Sequence, residues 1–528
     1  MKKQPTGVST AEYYHELTKY SPESISTGTP DPLQKPPLFK EYLTERALDL
    51  KPFLKGVPHH SGSPENPKNV LRSISRLLYH TGGITEIVEG RGGPIYFRAA
   101  PSAGALYPIE IYMATRGVEG ITDGIHSYSI REHALVPLWD GNFAREIQEF
   151  CFRHPAAVQG RMFLILTAVL RRSAWRYRDR AYRRILLDAG HILGNAAAYA
   201  PVEGLGVIGL GGFHDAAISD LLFLDREEEA VLVVAPVVSR KDLETAKAVS
   251  PFPFPSNRST PPSAGPDKGL MLLLHERSCI TPGGRLAEKV PKEAMAPSLF
   301  LGRAEEEEGI PLGSPEKSGS AAPGHAPANA LAPSIGPVIR RRRSARAFGK
   351  GRLTLARIAG ILRSSYAPVR AYLGKESPSL GDCILNDPTM IATYLVATRV
   401  EGLPPGIYRY DPEAAKLHLR REGNFQNELW NICLGQDLGR NPAAAVIHVA
   451  DLPACADRYG DRAYRYLHLD AGHLGQRINL AAVSRDTGVS GIGGFFDDEV
   501  NTLLEIPERM STLYITLLGP TASSGAQE

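Results

Sequence analysis

Apolar residues recur at helical spacing in two stretches of the chain that lie far apart. Within each stretch they fall three or four positions apart, so they share one face of a helix. Thr354 directly precedes the second stretch and is a residue type that caps helix N-termini. The pattern therefore predicts two amphipathic helices. Their apolar positions are Leu71, Ile74, Leu77 and Leu78 in the first helix, and Leu355, Ile358, Ile361 and Leu362 in the second.

The residues that follow each helix predict the same series of elements twice. A strand, a hairpin marked by glycine, a second strand, a long amphipathic helix, a glycine-rich loop and a closing strand come in the same order. Because helices and hairpin-linked strands mix without a regular strand-helix-strand alternation, the series predicts an α+β fold. The glycine-rich loops, 202–213 and 486–495, follow a helix, so they are not dinucleotide-binding fingerprints.

A long internal repeat relates the two series. The run DRAYRRILLDAGH begins at residue 179, and DRAYRYLHLDAGH begins at residue 461, with ten identities in thirteen positions. The same separation of 282 residues pairs 118–120 with 400–402 and 211–213 with 493–495. Solenoid repeats span only about 20 to 50 residues, so each copy is predicted to be a whole domain. The chain would then be an intrachain pseudo-dimer, whose interface sites are built from two unequal halves.

Composition shifts divide the chain into five predicted parts. We expect an N-terminal wrap at 1–60, a first domain at 61–240, a linker rich in Pro, Gly and Ser at 241–337, a second domain at 338–520 and a tail at 521–528. The linker composition cannot bury much apolar surface, which predicts flexibility over most of its length. A short apolar island at 270–274 is a candidate for docking on a domain.

Charge and cysteine content exclude several classes of function. The net charge of +3 provides no electrostatic case for binding nucleic acid or an anionic membrane. The five cysteines are widely spaced and include no CxxC, so neither a disulfide framework nor a metal site is predicted. The N-terminus lacks the apolar run of a signal peptide, and no stretch reaches the length of a membrane span. We therefore expect a cytoplasmic protein that is sufficient as a monomeric pseudo-dimer, although a higher oligomer is not excluded.

Several ordered motifs in both copies resemble one family. The run at 98–120, the hairpin at 406–412, the RAYR and LDAGH helices and the GGF loops resemble the SagB/ThcOx branch of the FMN-dependent nitroreductase-like superfamily. The resemblance implies two domains, each with an antiparallel-rich sheet flanked by helices, and FMN at their interface. It also implies that an RRSxR-type segment of one subunit holds the phosphate end, and that a PSxG-type loop of the other packs against the flavin ring.

The two halves divide these cofactor-binding parts between them. The second half carries the arginine segment 340–348, whereas the matching stretch of the first half, 57–67, has no arginine. The first half carries the loop 101–104, whereas the second offers only a degraded version at 377–388. Arginine suits a phosphate, and small residues let backbone approach a flat ring. One FMN site is therefore predicted, and the second position is expected to be empty. The residues predicted to form the one FMN site are Arg342, Arg343, Ser344, Arg346, Pro101, Ser102, Ala103, Gly104, Gly493 and Gly494.

The azoline oxidases of that family resemble one another in a Lys-Tyr pair, to which a role in proton removal is ascribed. Here the pair reads Arg176-Tyr177 in the first half and Arg458-Tyr459 in the second, so these four residues are the catalytic candidates. Arginine stays protonated and cannot act as the base, but it can orient an anion. A purely structural role, with the arginines paired to Asp179 and Asp461 three residues on, is an equal alternative. His191 and His473 of the DAGH motifs are expected to be structural.

The resemblance implies a flavin oxidoreductase that oxidises a peptide or peptide-like azoline in natural-product biosynthesis, with molecular oxygen as the final acceptor. A cyclodehydratase-type enzyme would be its partner. Two other functions stay open at this point: an NAD(P)H-dependent reductase of nitro or quinone compounds, and a flavin-poor scaffold that binds a peptide or a partner enzyme. The sequence names neither the substrate nor the direction of the reaction.

Overall fold

The structure is a computed structural model of the chain. It describes residues 4–25, 30–42, 44–55, 67–90, 92–239, 255–256, 269–281, 285–286, 309–312, 335–373 and 386–522. Most of the arginine-free stretch 57–67, most of the degraded loop 377–388 and much of the predicted linker lie outside these ranges. No helix in these ranges is long and apolar enough to cross a membrane.

Each half contains a seven-stranded antiparallel sheet, and the two sheets have the same strand order. The first sheet has the order β1-β6-β5-β4-β7-β9-β8 and the second has β12-β17-β16-β14-β18-β20-β19. The first-half strands are β1 (Leu48–Asp49), β2 (Ile84–Gly90), β3 (Gly93–Arg98), β4 (Ile109–Thr115), β5 (Gly124–Ser129), β6 (Ala134–Asp140), β7 (Met162–Val169), β8 (Leu205–Val207) and β9 (Glu229–Ser239). Later strands are β10 (Pro255–Ser256), β11 (Arg285–Leu286), β12 (Ile310–Pro311), β13 (Leu353–Thr354), β14 (Ala392–Ala397), β15 (Val400–Glu401), β16 (Gly406–Asp411), β17 (Lys416–Glu422), β18 (Ala444–Asp451), β19 (Thr487–Ile492) and β20 (Met510–Pro520).

Helices cover both faces of each sheet, so the central strands β4 and β18 are buried throughout. Their residues are mostly apolar; the charged or strongly polar exceptions are Glu110, Thr115, His448 and Asp451. The first-half helices are α1 (Thr10–Leu17), α2 (Pro67–Gly82), α3 (Ala144–Phe150), α4 (Pro155–Gln159), α5 (Leu170–Tyr177), α6 (Ala181–Tyr199) and α7 (Asp215–Leu221). They are followed by α8 (Gly269–Ser278), α9 (Ile335–Arg341), α10 (Leu355–Ser365), α11 (Ala367–Tyr372), α12 (Gln426–Ile432), α13 (Asp437–Arg440), α14 (Leu452–Tyr459), α15 (Ala463–Val483) and α16 (Asp497–Leu504).

The two halves share one hydrophobic core. Its residues come from α2 and α6 of the first half and from α10 and α15 of the second, whereas each sheet has a separate apolar cluster on its other face. The helices α6 and α15 cross at the glycines of their DAGH motifs. A Cβ added at Gly190 would lie 2.3 Å from the Leu469 carbonyl oxygen, and one at Gly472 would lie 2.3 Å from that of Leu187. Glycine at both positions therefore allows backbone-to-backbone contact.

Reciprocal ion pairs join the halves around this crossing. Arg180 and Arg183 contact the two oxygens of Asp497 at 2.7 and 2.6 Å. At the pseudo-symmetric position, Arg462 and Arg465 both contact Asp215 at 2.6 Å. The pKa of each aspartate is lowered by its two arginines, although burial acts in the opposite direction. Each half thus supplies one carboxylate that pairs with two buried arginines of the other half.

Two short segments outside the sheets extend the repeat. The N-terminal segment 10–20 and the segment 270–280 lie at equivalent positions. The Tyr20 N–H donates to Asp497 and the Ile280 N–H donates to Asp215. Both α1 and α8 contact both halves; for example, the Ala11 N–H donates to Asp461 of the second half. The apolar island predicted at 270–274 belongs to α8, where Leu270, Met271 and Leu274 are buried.

The structure confirms the α+β class, the antiparallel sheets and both amphipathic helices, with the Thr354 side chain capping α10. The glycine-rich loops were predicted without secondary structure, and that prediction is wrong in part because β8 and β19 lie inside them and pair with the closing strands. Glycine inside β19 has a packing reason: a Cβ at Gly491 would lie 1.7 Å from the Tyr514 hydroxyl. The hairpin β2–β3 was not predicted.

Candidate active site between the halves

The loop 101–104 is held against the DAGH helix of its own half. The Ser102 hydroxyl donates to Asp188 at 2.5 Å, and the Ala103 N–H donates to the same carboxyl group at 3.2 Å. Ser102 Oγ also accepts from the Tyr107 N–H at 2.9 Å. Gly104 has a φ of +63°, in the left-handed region that favours glycine. The small-residue loop therefore has a defined shape, with Ala103 and Gly104 toward its open side.

Burial sets the ionisation of the carboxyl group beneath this loop. The pKa of Asp188 is raised to about 7, chiefly because the group is buried, while the hydrogen bonds from Ser102 and Ala103 act in the opposite direction. The equivalent residue of the second half, Asp470, also has a raised pKa, first because of burial. Asp188 accepts hydrogen bonds from the loop 101–104, and Asp470 accepts them from the N–H groups of Asn386 and Asp387.

Tyr177 and Arg176, at the end of α5, lie directly beside Gly104. A Cβ added at Gly104 would be 2.6 Å from the Tyr177 hydroxyl and 3.6 Å from Arg176 Cδ. Tyr177 is half-buried and Arg176 is exposed. Burial raises the pKa of Tyr177, and the nearby Arg184 and Arg176 lower it by a smaller amount. The phenol is therefore a neutral hydrogen-bond donor at physiological pH.

Arg184 links Tyr177 to the glycine loop of the second half. Its guanidinium carbon lies 3.7 Å from the centre of the Tyr177 ring. A Cβ added at Gly494 would be 3.0 Å from Arg184 Nη2, and one at Gly493 would be 3.5 Å from Arg184 Cγ. The loop 101–104 and the glycine pair 493–494, which the sequence assigns to different halves, thus converge on two side chains of the first half.

The N-terminal segment also reaches this place. Arg184 Nη1 donates to the Tyr20 hydroxyl at 3.4 Å, and its guanidinium carbon lies 5.6 Å from the centre of the Tyr20 ring. Tyr20 Cε2 is 3.8 Å from a Cβ added at Gly494. Nothing in the sequence around Tyr20 singled it out, because its role depends on the docking of a segment remote from both domains.

The arginine segment runs beside the strand that leads into the glycine pair. The Ala345 N–H donates to the Val489 carbonyl oxygen of β19 at 2.9 Å. Arg342 is buried and reaches into the first half, where its Nε donates to the Ala99 carbonyl oxygen at 3.1 Å, just before the loop 101–104. Burial lowers the pKa of this guanidinium to about 10, so it stays charged at neutral pH. Arg342 Nη1 donates to Ser344 Oγ at 3.4 Å.

The other arginines of the segment differ in their contacts. Arg343 Nη2 forms a 2.6 Å ion pair with Glu86, on the β2–β3 hairpin of the first half. Arg346 is exposed and forms no ion pair or hydrogen bond within the described ranges. Of the predicted phosphate-binding arginines, Arg346 is therefore the one whose guanidinium is available, and Arg343 would have to exchange or share its carboxylate partner.

The pseudo-symmetric position in the second half is closed by its own side chains. Arg458 lies 3.3 Å from Asp387, and the buried Tyr459 hydroxyl donates to the same carboxylate at 3.2 Å. Tyr466 stands where the first half has Arg184, and a Cβ added at Gly211 would be 3.0 Å from its ring and 2.3 Å from Asn386 Oδ1. The loop at 211–212 thus lies against Asn386 and Tyr466.

The alternative pairing of Arg176 and Arg458 with the aspartates three residues on is wrong. The Asp179 carboxylate accepts from the Met271 N–H of α8, and Asp461 accepts from Ala11 of α1, because the docked helices present their N-terminal N–H groups there. The DAGH histidines are buried, as structural residues would be. His191 bridges Gln476 and Tyr514 at 2.8 and 2.9 Å, and burial lowers the pKa of its imidazole to about 4.

Sequence reasoning missed Arg184, Asp188 and Tyr20. A signal existed for Arg184, because superposing the two repeats shows arginine at 184 and tyrosine at 466 inside an otherwise matched motif. The aspartate of each DAGH motif was visible as a repeated residue, but its contact with the loop was not.

Comparisons with known proteins agree with this architecture. The profile of the nitroreductase family matches residues 67–237 and 339–519. A putative nitroreductase from Anabaena variabilis, known as a crystal structure, superposes with a TM-score of 0.82 at 38% identity, covering 97% of this chain and 100% of that chain. A putative nitroreductase of Methanocaldococcus jannaschii is 31% identical over 167 residues, which are 32% of this chain and 79% of that protein.

Two relatives come from Rhizobium leguminosarum bv. trifolii. The trifolitoxin operon protein TfxC is 26% identical over 34% of this chain and 53% of its own length. The trifolitoxin-processing protein TfxB is 29% identical over 31% of this chain and 46% of its own length. The matches therefore span about half of each of these two relatives. Since the family profile covers most of this chain in two separate copies, the protein belongs to the nitroreductase family and carries its domain twice.

Proposed function

We propose that this protein is an FMN-dependent oxidoreductase with one composite flavin site, formed by the loop 101–104 of the first half and the segments 342–346 and 493–494 of the second. FMN, when bound, would take up two electrons from an organic substrate and pass them to molecular oxygen. The observation that carries the proposal is the convergence of Gly104, Tyr177, Arg184 and Gly494 across the interface.

The residues present suit FMN. A Cβ at Gly494 would lie 3.0 Å from Arg184 Nη2, whereas one at Gly493 would make an ordinary contact at 3.5 Å. The bare backbone of this glycine pair suits the close approach of a flat ring. Arg98, which precedes the loop 101–104, is buried, and its Nε and Nη1 have no hydrogen-bond partner among the residues that the structure describes. It lines a small cavity with Ser102 and Asp188, so a cationic donor is available there. Arg346 is free to bind a phosphate, and Arg342 fixes the segment against the first half.

The side chains around this site can donate protons and stabilise negative charge, but they supply no lysine base. The guanidinium groups of Arg176 and Arg184 offer hydrogen-bond donors, and Tyr177 remains a neutral donor because burial raises its pKa. Their joint effect is to orient an anionic or electron-rich substrate beside Gly104 and to stabilise charge that develops on it. The lysine of the Lys-Tyr pair is absent at both matching positions, so the proton that an azoline loses along with its hydride would leave to water beside Tyr177.

Of the two catalytic candidate pairs, we assign the active one to Arg176-Tyr177. Tyr177 lies beside the loop 101–104, whereas Tyr459 is buried and engaged with Asp387. The second position lacks an arginine at 466, and Asn386 lies against its glycine loop. These contacts support a single working site per chain.

For the substrate, we propose a peptide or peptide-like azoline, oxidised to the aromatic azole after a cyclodehydratase-type enzyme has formed the ring. The support is the similarity to the trifolitoxin proteins, one of which is described as a processing protein. Reduction of nitro or quinone compounds with NAD(P)H is the second candidate, favoured by the two putative nitroreductases among the similar proteins. A flavin-poor scaffold is the third, and it predicts no flavin at all.

Flavin content and electron source separate these candidates. We expect the purified chain to bind one FMN per polypeptide, to oxidise an azoline peptide with oxygen consumption, and not to be reduced by NAD(P)H alone. Two flavins per chain, or none after reconstitution with excess FMN, would contradict the composite site. Rapid bleaching by NAD(P)H without turnover of an azoline would favour the reductase.

A matched pair of arginine variants tests the phosphate contact. Arg346→Ala should weaken FMN binding by about 1.5 to 3 kcal/mol, the usual contribution of one charge-assisted hydrogen bond. Arg341→Ala removes an equally exposed arginine five positions earlier, whose guanidinium contacts the Val483 carbonyl oxygen, and should leave FMN affinity unchanged. Equal losses in the two variants would point to a general charge effect instead of a phosphate contact.

A further inference from the structure

Arg184 is a buried cation for which the described parts of the chain provide no carboxylate partner. Its side chain is only 5% exposed, and its one hydrogen bond there goes to the Tyr20 hydroxyl at 3.4 Å. By contrast, the neighbouring arginines of the same helical turn, Arg180 and Arg183, both contact Asp497. Burying a charge without a partner is costly, so such a residue marks a place where an anion binds.

None of the other charged side chains around Arg184 in the described ranges forms an ion pair with it. Asp188 lies one turn further along α6, and the charge of Arg184 is the smallest of the causes that act on its pKa, but the two side chains form no ion pair. Its carboxyl group accepts hydrogen bonds from Ser102 and Ala103, and burial raises its pKa to about 7. Arg176, whose guanidinium carbon lies 5.7 Å from the centre of the Tyr177 ring, is a second guanidinium without a carboxylate partner in the described ranges. Arg180 pairs with Asp497, which it shares with Arg183. The region between the loop 101–104 and the glycine pair 493–494 therefore carries an excess of positive charge.

Two aromatic rings hold the Arg184 guanidinium in place. Tyr177 lies at 3.7 Å and Tyr20 at 5.6 Å from the guanidinium carbon, and Nη1 donates to the Tyr20 hydroxyl. Among the described residues, Nε and Nη2 have no hydrogen-bond acceptor, so this edge of the guanidinium is left for a ligand. A planar guanidinium with a free edge binds a carboxylate in a bidentate manner. The second half has Tyr466 at this position and Ile280 in place of Tyr20, so the arrangement exists at one of the two positions only.

We propose that Arg184, assisted by Arg176, binds a carboxylate of the substrate beside the reacting ring, so that the enzyme selects acids over the corresponding amides. This inference rests on the proposed function for the identity of the ring. The carboxylate belongs either to the end of the substrate chain, attached directly to the ring, or to an adjacent acidic side chain. Arg184 is in this sense a specificity-determining residue.

Probe binding tests the proposal without turnover. Calorimetric titration of the protein, with and without added FMN, should show benzoate binding at least about tenfold more tightly than the neutral isostere benzamide, which corresponds to about 1.4 kcal/mol. Arg184→Gln should abolish this preference and leave benzamide binding unchanged. Arg184→Lys should restore part of it, because the charge is kept while the planar fork is lost.

Two further variants serve as controls, one for unfolding and one for a general effect of charge. Arg184→Tyr copies the residue that the second half carries at 466, so the helix should accept it even if Arg184→Gln unfolds the protein, and it should also lose the preference for benzoate. Arg171→Gln removes an exposed arginine from the adjacent helix α5 and should retain the preference. Benzoate binding that is unchanged in Arg184→Tyr, or that falls equally in Arg171→Gln, would overturn the proposal.

The remaining experiments identify which carboxylate of the substrate binds, and they test the proposed function separately from the anion site. Turnover is compared for 2-phenylthiazoline-4-carboxylate, its primary amide and its amide with glutamate, in the wild type and in Arg184→Lys. Preference for the free acid indicates a terminal carboxylate, and preference for the glutamate amide indicates an acidic side chain. Equal rates for all three would overturn the proposal. A folded Arg184 variant that no longer binds FMN but still binds benzoate would overturn it too. A protein that binds benzoate through Arg184 but never binds FMN would contradict the proposed function and leave the anion site intact.

Discussion

At the scale of single residues, equivalent positions of the two repeats have acquired different environments. Tyr177 and Tyr459 come from the same position of the repeat, yet Tyr177 lies beside Gly104 and Arg184, whereas Tyr459 is 1% exposed and donates to Asp387. The same contrast holds for Arg176, which is exposed, and Arg458, which pairs with Asp387. Local sequence is nearly identical at these positions, so the partner loops decide what each residue can do.

This contrast predicts different outcomes for one substitution made in each half. Tyr177→Phe should lower kcat by at least about 100-fold, the lower range for loss of a hydrogen-bond donor that stabilises developing negative charge, with FMN still bound. Tyr459→Phe should cost about 1 kcal/mol of stability through its lost hydrogen bond to Asp387 and leave kcat unchanged. Steady-state kinetics and urea unfolding of both variants provide the check. Full activity in Tyr177→Phe would make both tyrosines structural.

Asp188 predicts a dependence of stability on pH. Its folded pKa of about 7 lies above the value near 3.9 of an unfolded aspartate, so the unfolded chain binds fewer protons between these values. The contribution of Asp188 to the free energy of unfolding is therefore present below pH 4 and is lost as the pH rises through 7. The buried histidines, such as His191 with its lowered pKa, act in the opposite direction, so the comparison must be made against a variant.

Asp188→Asn is that variant, because it keeps the shape and removes the titration. The difference in free energy of unfolding between wild type and Asp188→Asn should move by about 2 kcal/mol in favour of the variant from pH 5 to pH 7. Urea denaturation at the two pH values measures it. A difference that stays constant across this range would mean that the group does not titrate there.

At the scale of secondary-structure elements, the crossing of α6 and α15 organises the molecule. The crossing brings the RAYR segments of both helices against the opposite half, so that each pair of arginines meets an aspartate from the other glycine loop region. It depends on Gly190 and Gly472, where a side chain would collide with backbone. The glycines of the DAGH motifs therefore have a packing function, which the sequence repeat alone did not disclose.

Gly472→Ala should destabilise the protein by about 1 to 3 kcal/mol or more, because its Cβ would lie 2.3 Å from the Leu187 carbonyl oxygen and the helix backbones must separate. Gly360→Ala is the matched control in another helix. There the added Cβ would first meet the flexible Arg485 side chain, at 2.7 Å from its Nε, and alanine favours a helix by up to about 1 kcal/mol. Thermal unfolding should separate the two variants, and equal effects would mean that the crossing is not tightly packed.

At the scale of the whole molecule, each half depends on the other for its folded structure. The central core draws residues from both, and each half provides the carboxylate for two buried arginines of the other. The segments α1 and α8 pack across both halves. A half expressed alone would therefore expose apolar surface and leave buried charges unpaired.

Expression of the chain as two pieces, divided between residues 320 and 325 outside the described ranges, tests this dependence. The two pieces should copurify when expressed together and should bind one FMN per pair. Neither piece should retain FMN by itself, because each supplies only part of the composite site. Retention of FMN by the C-terminal piece alone would show that the first half is not required.

The sequence by itself determined the repeat, the α+β class, the order of the elements and the uneven division of motifs between the halves. These features are local: periodicity, capping residues and motif identity can be read within a few tens of residues. Only the tertiary structure decided that Tyr20, Arg184 and Gly494 lie together, that Arg343 pairs with Glu86, and that Asp387 engages Tyr459. Each of these contacts joins segments remote in sequence, and they follow from how α6 and α15 cross and from which side chains fill each interface. No local pattern encodes that packing.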